Sequence, residues 1–219
     1  MHPNLSETDR NAIQEAVERA EKRTSGEIVP FVVGRSSVYP IAFWKAACLF
    51  GLTGLILVFV LSMTYTGFGL GWLFSAAGHV VAVIVSAVIG LLLVRFIPGL
   101  HRLLVGPAAL AAAVRDRASR AFLEEEVFNT RERTGILLLV SLFEHRVEVV
   151  GDSGINDRVD PEDWGSVIED ILKGIKAGKL SDGFVSAIER CGRLLEAKGV
   201  EIREDDTDEL SDSVRVEEQ

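Results

Sequence analysis

The chain has 219 residues, is 48% hydrophobic and 25% charged, and carries a formal net charge of −9. Its mean hydropathy is positive, at +0.26. The charges are unevenly placed: from Ala46 to Val94 there is no Asp, Glu, Lys or Arg. A bilayer-crossing helix needs roughly 20 apolar residues, so this stretch has room for two, which excludes an ordinary soluble enzyme. The acidic balance excludes non-specific nucleic-acid binding, which depends on clustered Lys and Arg. Cys48 and Cys191 lie far apart and define no disulfide framework. The polar start, His2-Pro3-Asn4-Leu5-Ser6, lacks the apolar core of a signal peptide.

Residues 1–40 form the first part of a soluble domain. Ser6 and Asp9 are spaced as a capping box, and Ile13, Ala16, Val17 and Ala20 repeat on one helical face, with a stop at Gly26. Ile28-Val29-Pro30-Phe31-Val32-Val33 reads as a strand. Its proline cannot donate to a ladder, which favours an edge position or a bulge.

Residues 41–98 form a hairpin of two membrane-crossing helices, at about 41–63 and 73–97, joined by the uncharged turn Thr64-Tyr65-Thr66-Gly67-Phe68-Gly69-Leu70-Gly71-Trp72. Tyr65 and Trp72 suit one interface and Trp44 the other. Arg35, Lys45, Arg95 and Arg102 all flank the end away from the turn, so the positive-inside rule puts both termini in the cytoplasm, with a prokaryotic inner membrane as the expected setting. Gly78, Ala82, Ser86 and Gly90 recur every four residues. That stripe suits packing against the first span, which carries Gly51 and Gly54, or a homo-oligomer contact. His79, near the interface and without a partner acid in either span, reads as a solvated histidine.

Residues 99–200 supply the second part of the soluble domain. A helix is expected over about 108–128, with Ala118, Ala121, Phe122 and Phe128 apolar. Ile136-Leu137-Leu138-Leu139-Val140 reads as a strand buried on both faces. Arg146-Val147-Glu148-Val149-Val150 alternates, and the short link through Phe143-Glu144-His145 makes the two a hairpin. Asp160 then stands as a helix N-cap, with Pro161 at the first helical position and Asp163 three after the cap. Trp164, Val167, Ile168, Ile171, Leu172 and Ile175 line one face of that helix. A last helix starts near Ser181, buries Phe184, Ile188, Cys191 and Leu195, and stops at Gly199. Residues 201–219 hold nine acidic residues against Arg203 and Arg215, the composition of a solvated, disordered tail. The order predicts a three-layer α/β/α sandwich interrupted by a transmembrane hairpin.

Familiar catalytic motifs fail in context. Gly151-Asp152-Ser153-Gly154 resembles the surroundings of a protease serine, but the nearest histidine, His145, lies in the preceding turn. Cys191 lacks a phosphate-cradling loop, and no P-loop, dinucleotide fingerprint or zinc spacing occurs. The oxygen-rich run Asp152-Ser153-Gly154-Ile155-Asn156-Asp157-Arg158-Val159-Asp160, followed by Glu162 and Asp163, departs from an EF-hand. Its oxygens suit either helix capping or a divalent cation.

The segments Ser25-Gly26-Glu27-Ile28-Val29, Thr130-Arg131-Glu132-Arg133-Thr134-Gly135-Ile136-Leu137 and Val149-Val150-Gly151-Asp152-Ser153-Gly154-Ile155 resemble the TPM-domain family. Gly178-Lys179-Leu180-Ser181-Asp182-Gly183-Phe184 and Asp208-Glu209-Leu210 fit the same pattern. The likeness is to the branch with an inserted membrane hairpin. It implies an α/β/α sandwich, the acid-phosphatase activity proposed for plant thylakoid relatives linked to photosystem repair, calcium binding as in some relatives, and an accessory role beside membrane proteins as in others. The resemblance places that calcium at Asp152, Asn156, Asp157 and Asp160, and Asp163 of the same oxygen-rich run completes the candidate ligand set for calcium or another divalent cation. Two functions are therefore expected of this chain: a non-enzymatic accessory factor for assembly or turnover of membrane complexes, with a bilayer and a membrane protein as partners, or a membrane-anchored, metal-dependent phosphatase.

Overall fold

The computed structural model describes residues 5–65, 69, 71–202 and 209–217. Parts of four sequence readings lie outside them: His2 to Asn4 of the polar start, Thr66 to Phe68 and Leu70 of the hairpin turn, Arg203 of the tail, and Asp208 of the last family-like motif. The chain divides into two units, one of residues 1–37 and 111–219, the other of residues 38–110.

In the first unit, Ser6 and Asp9 close the expected capping box on α1 (Glu7–Glu21), whose Ile13, Ala16, Val17 and Ala20 are buried. Strand β1 (Glu27–Val33) follows, and α5 (Pro107–Glu124) carries the chain back from the second unit. Next come β2 (Gly135–Ser141), β3 (Arg146–Gly151) and the single turn α6 (Ser153–Asn156). Pro161–Trp164 makes a 3-10 turn into α7 (Gly165–Ala177), which ends on Gly178 at φ +69°. Helix α8 (Leu180–Ala197) and a short β4 (Arg215–Glu217) complete the unit.

The sheet order is β3-β2-β1-β4. β1 and β2 run parallel, with Glu27 opposite Gly135, and β3 returns antiparallel beside β2. Alternation splits each strand between two cores. Ile28, Val32, Ile136, Leu138 and Val140 face a cluster built with α1, α7 and α8. Val29, Phe31, Val33, Leu137 and Leu139 face Val114, Ala118 and Ala121 of α5. A fully buried large aliphatic side chain contributes roughly 1.5–3 kcal/mol, and β1 and β2 are buried along their whole length. The result is the expected α/β/α sandwich.

The tail reading is corrected here: β4 lies within residues 201–219 and pairs in parallel with Phe31–Val33 of β1. Val214 and Leu210 pack on the two cores. Arg117 of α5, buried, holds the carboxylate of Glu217 and also reaches Glu124 Oε2 at 3.0 Å. Arg215 pairs with Glu125 at 3.1 Å. Charge partners on α5 and in the turn just after it thus fold a segment that polarity alone would leave in water. β4 also changes the reading of Pro30. β1 is a border strand only before Phe31, and the proline sits there, beside β2 alone.

The second unit holds α2 (Pro40–Thr64), α3 (Ala76–Phe96) and α4 (Pro98–Val105). α2 and α3 are long and apolar enough to cross a membrane, and most of each helix is exposed within the structure. Their contact is made by small residues. A Cβ on Gly54 would lie 2.1 Å from Ser86 Oγ, and one on Gly90 would lie 2.8 Å from Phe50. Ser86 and Gly90 of the four-residue stripe therefore face α2, while Gly78 is held under the carbonyls of Trp72 and Leu73. The unit extends past the expected boundary at residue 98. Pro98 cannot continue α3 and opens a new helix instead. Its buried His101 meets Phe43 and Tyr39 edge-on at 5.2 and 6.3 Å. Lys45 Nζ donates to Leu104 O at 2.8 Å, which fastens α4 to α2.

Candidate functional site

Four of the five family-like segments meet at one end of the sheet, where β1 and β2 begin and β3 ends. Thr130 and Thr134 shape the entry to β2: Thr134 N donates to Thr130 Oγ1 at 2.9 Å, and Thr134 Oγ1 donates to Ser25 O at 2.7 Å. Glu27 N donates to Thr134 O at 3.2 Å. Gly135 must lack a side chain, since a Cβ there would lie 1.9 Å from Val127 O. The 151–155 turn docks on this loop. Asp152 N donates to Gly135 O and Gly154 N to Arg133 O, each at 2.9 Å, and a Cβ on Gly154 would lie 2.3 Å from Glu132 O. Glu209 accepts from Arg131 N at 2.9 Å, and the carboxylate of Glu27 accepts from the amides of Glu209 and Leu210 at 3.4 Å each.

Gly178–Phe184 lies elsewhere, at the crossing of α7 and α8. Gly174 and Gly183 meet backbone to backbone there, a Cβ on Gly174 falling 2.6 Å from Gly183 Cα.

Asp152 is the one expected ligand that is buried, at 6% exposure. Its Oδ1 accepts from Ser153 N at 2.7 Å, capping α6, and its Oδ2 stands 2.9 Å from Arg133 Nε as an ion pair. Asn156 Nδ2 donates back to Gly151 O at 2.7 Å. Asp157 is the exposed residue that closes α6. Asp160 is the N-cap of the 3-10 turn, and its amide donates to Asp163 Oδ2 at 3.0 Å. Asp163 also pairs with Lys198. The Lys198 ammonium, then the Asp160 amide, hold the Asp163 carboxyl below its usual range, and the same contact raises Lys198.

These five side chains do not converge. Calcium wants six to eight oxygens around one point. Here Asp152 and Asp163 are turned toward separate cations and Asn156 toward the Gly151 carbonyl, and no group of three or more His, Cys, Asp or Glu side chains among the described residues could hold an ion. As arranged, the donor set does not fit calcium. A protease-like reading of Ser153 fails on distance. His145 and Ser153 lie beyond opposite ends of β3, whose six residues span about 20 Å. Cys191 is fully buried, and desolvation, with the nearby Glu21 charge second, pushes its thiol up to about 12. A thiol so far from ionisation is a poor nucleophile.

A second polar cluster, missed in the sequence, closes the opposite end of β1 and β2. Glu144, 4% exposed, accepts from Ser36 N at 3.0 Å and from the Ser141 hydroxyl, and Ser36 Oγ donates to Ser141 Oγ at 2.8 Å. The Arg35 guanidinium lies 3.8 Å over the Phe143 ring beside it. The available signal was a serine ending an apolar strand with a carboxylate three residues on, which reads equally well as turn polarity. Carboxyl ends of parallel strands are where open sheets place ligands. Here the hydroxyls and the acid serve one another.

The family model described as TPM domain matches residues 107–194, the part of the chain that runs from α5 into α8. Among solved structures, the NMR structure of BA42 protein from the psychrophilic bacterium Bizionia argentinensis is similar over 98% of this chain and 96% of that one. The two are 21% identical with a TM-score of 0.59, a likeness of fold. No curated protein matches the chain.

Proposed function

We propose that this chain is a membrane-anchored accessory protein, held in the bilayer by α2 and α3, whose TPM domain acts without catalysis in the assembly or turnover of membrane complexes. The observation that carries this reading is the state of the polar groups around 130–163. Asp152 is engaged by Arg133, Asn156 by Gly151 and Asp163 by Lys198. These contacts support an architectural role for the loop, and among the described residues no open nucleophile–base pair accompanies it. Anchoring is supported by the outward side chains of α2 and α3, where Leu52, Ile56, Leu57, Val81, Ile84 and Val88 are exposed. In water such a surface would be a large unpartnered apolar patch. Arg35, Lys45, Arg95 and Arg102 support cytoplasmic termini. Protease treatment of sealed vesicles tests that orientation, and cleavage of the acidic tail only from the periplasmic side would reverse it.

Co-purification from mild detergent is the test of the function. The expected result is a reproducible membrane-protein partner retained by the wild-type chain. A consistently solitary protein that turns over an aryl phosphate, with or without calcium, would overturn the accessory reading in favour of the phosphatase.

A further inference from the structure

Away from the loops just described, the pair formed by α1 and α8 carries a cluster of arginines that the fold uses only in part. A cleft of about 140 Å³ opens there, lined by Arg19, Ala20, Arg23, Glu189 and Arg193. Gly192 lets the helices approach closely beside it, since a Cβ on Gly192 would lie 3.0 Å from Ala20 Cβ. Arg19 and Arg23 are four residues apart on α1, as Glu189 and Arg193 are on α8, so each pair shares one face of its helix.

An ordinary interhelical charge ladder would match each cation with an acid. Arg19 has two, Glu189 at 3.5 Å and Glu15 at 3.8 Å. Arg23 and Arg193 have no acidic side chain within ion-pair distance among the described residues. The acids nearest along α1 are engaged elsewhere, Glu21 by Ile28 N at 2.8 Å and Glu18 by Gln14 Nε2 at 3.3 Å. Three guanidiniums therefore surround one carboxylate, in a chain whose net charge is −9.

We propose that this cleft binds a phosphoryl dianion, free or carried on a lipid headgroup. Its lining has two positive charges in excess, which match a phosphate monoester of about −1.5 to −2 charge better than a single carboxylate. Guanidinium forks fit phosphoryl oxygens in pairs and are weakly hydrated, so they yield their water readily. The proposal is independent of the accessory reading.

The test uses the full chain in phosphatidylcholine nanodiscs, titrated with inorganic phosphate while the arginine side-chain NMR signals are followed. A second arm replaces the added phosphate with phosphatidic acid in the bilayer. Saturable shifts at Arg19, Arg23 and Arg193 are expected in at least one arm. Phosphate alone suffices for a soluble ligand, whereas a response only to phosphatidic acid assigns the lipid. The double variant R23Q/R193Q breaks no ion pair, so it should melt like the wild type and bind roughly tenfold more weakly or worse. R120Q/R158Q removes the same charge elsewhere and should bind unchanged. No saturable shift in either arm, or equal weakening by both double variants, overturns the proposal.

Discussion

The sandwich and the helical hairpin use the same aliphatic residues turned in opposite directions. In the sandwich, Ile13, Val17, Leu138, Ile171 and Ile188 point inward and the helices show water their charged faces. In the hairpin, glycines and alanines meet at the centre while Leu, Val and Ile face out. One unit is organised by the removal of apolar surface from water. The other is organised by close backbone approach, as helices are when the surroundings are themselves apolar. Composition alone would therefore mistake the two for similar cores. What separates them is which residues sit at the contact.

The sharpest way to break this contrast is a charge on the hairpin's outer surface. Leu57→Asp, on the exposed face of α2, should cost about 2.5–3.5 kcal/mol of insertion free energy and shift the chain out of the membrane fraction. Wild-type fractionation would mean that α2 does not cross a bilayer. In the sandwich, the comparable insult is a single methyl group. Gly135→Ala forces a carbon against Val127 O, and thermal melting should register a loss of about 3 kcal/mol; an unchanged melt would remove the close contact from the argument.

A smaller effect tests the fourth strand. Arg117→Ala leaves the Glu217 carboxylate without its buried partner, and a loss of about 2 kcal/mol is expected. Amide exchange should accelerate at Arg215–Glu217 while Ile136–Val140 stays protected. Uniform acceleration would show that β4 is inseparable from the core.

A pH series sharpens the picture of the loop. The Asp163 carboxyl is lowered in the folded chain by Lys198 and the Asp160 amide, so its ionised form favours folding. That contribution is complete above the unfolded value of about 3.9 and is lost as pH falls through the lowered folded value. Asp9, lowered first by the Ser181 hydroxyl and then by Ser6, adds a contribution of the same sign. Asp163→Asn should therefore flatten the acid limb of a plot of Tm against pH and leave the neutral region little changed. The smallest expected effect is that of calcium. Titrating the full chain should produce no saturable NMR shift over residues 151–163, because Asp152, Asn156 and Asp163 already have partners. Saturable shifts centred on those residues would return the loop to the metal sites.

Much of the sandwich was legible because its signals are local. The Ser6–Asp9 capping box, the Asp160–Pro161 helix start and the unbroken run Ile136–Val140 each depend on a few neighbouring residues, and the structure contains all three. β4 was illegible for the converse reason. Arg215-Val216-Glu217 has no apolar pattern, and it becomes a strand only through β1 and the ion pairs to Arg117 and Glu125. The end of the hairpin unit was likewise hidden, since His101 reads as a soluble residue until Tyr39 and Phe43 surround it. The oxygen-rich loop looked richer than it is. Whether five polar side chains share a centre or each serve a different neighbour depends on backbone direction, which the sequence does not display. The Ser36–Ser141–Glu144 cluster joins positions more than a hundred residues apart, and its one local trace, Ser141 followed by Glu144, reads equally well as turn polarity.

That separation bears on how the protein is made. Ser36 and Glu144 lie 108 positions apart, and between them the ribosome must deliver the whole of the apolar hairpin. The first helix and first strand therefore emerge as an orphan half-domain, with one sheet edge bare until Gly135–Ser141 arrives and the other until Arg215–Glu217 does. Long-range pairing of this kind is slow, and exposed edges invite association with other nascent chains. The proline in β1 offsets that hazard during synthesis, because a strand that lacks a ladder donor makes a poor template for a stranger's strand.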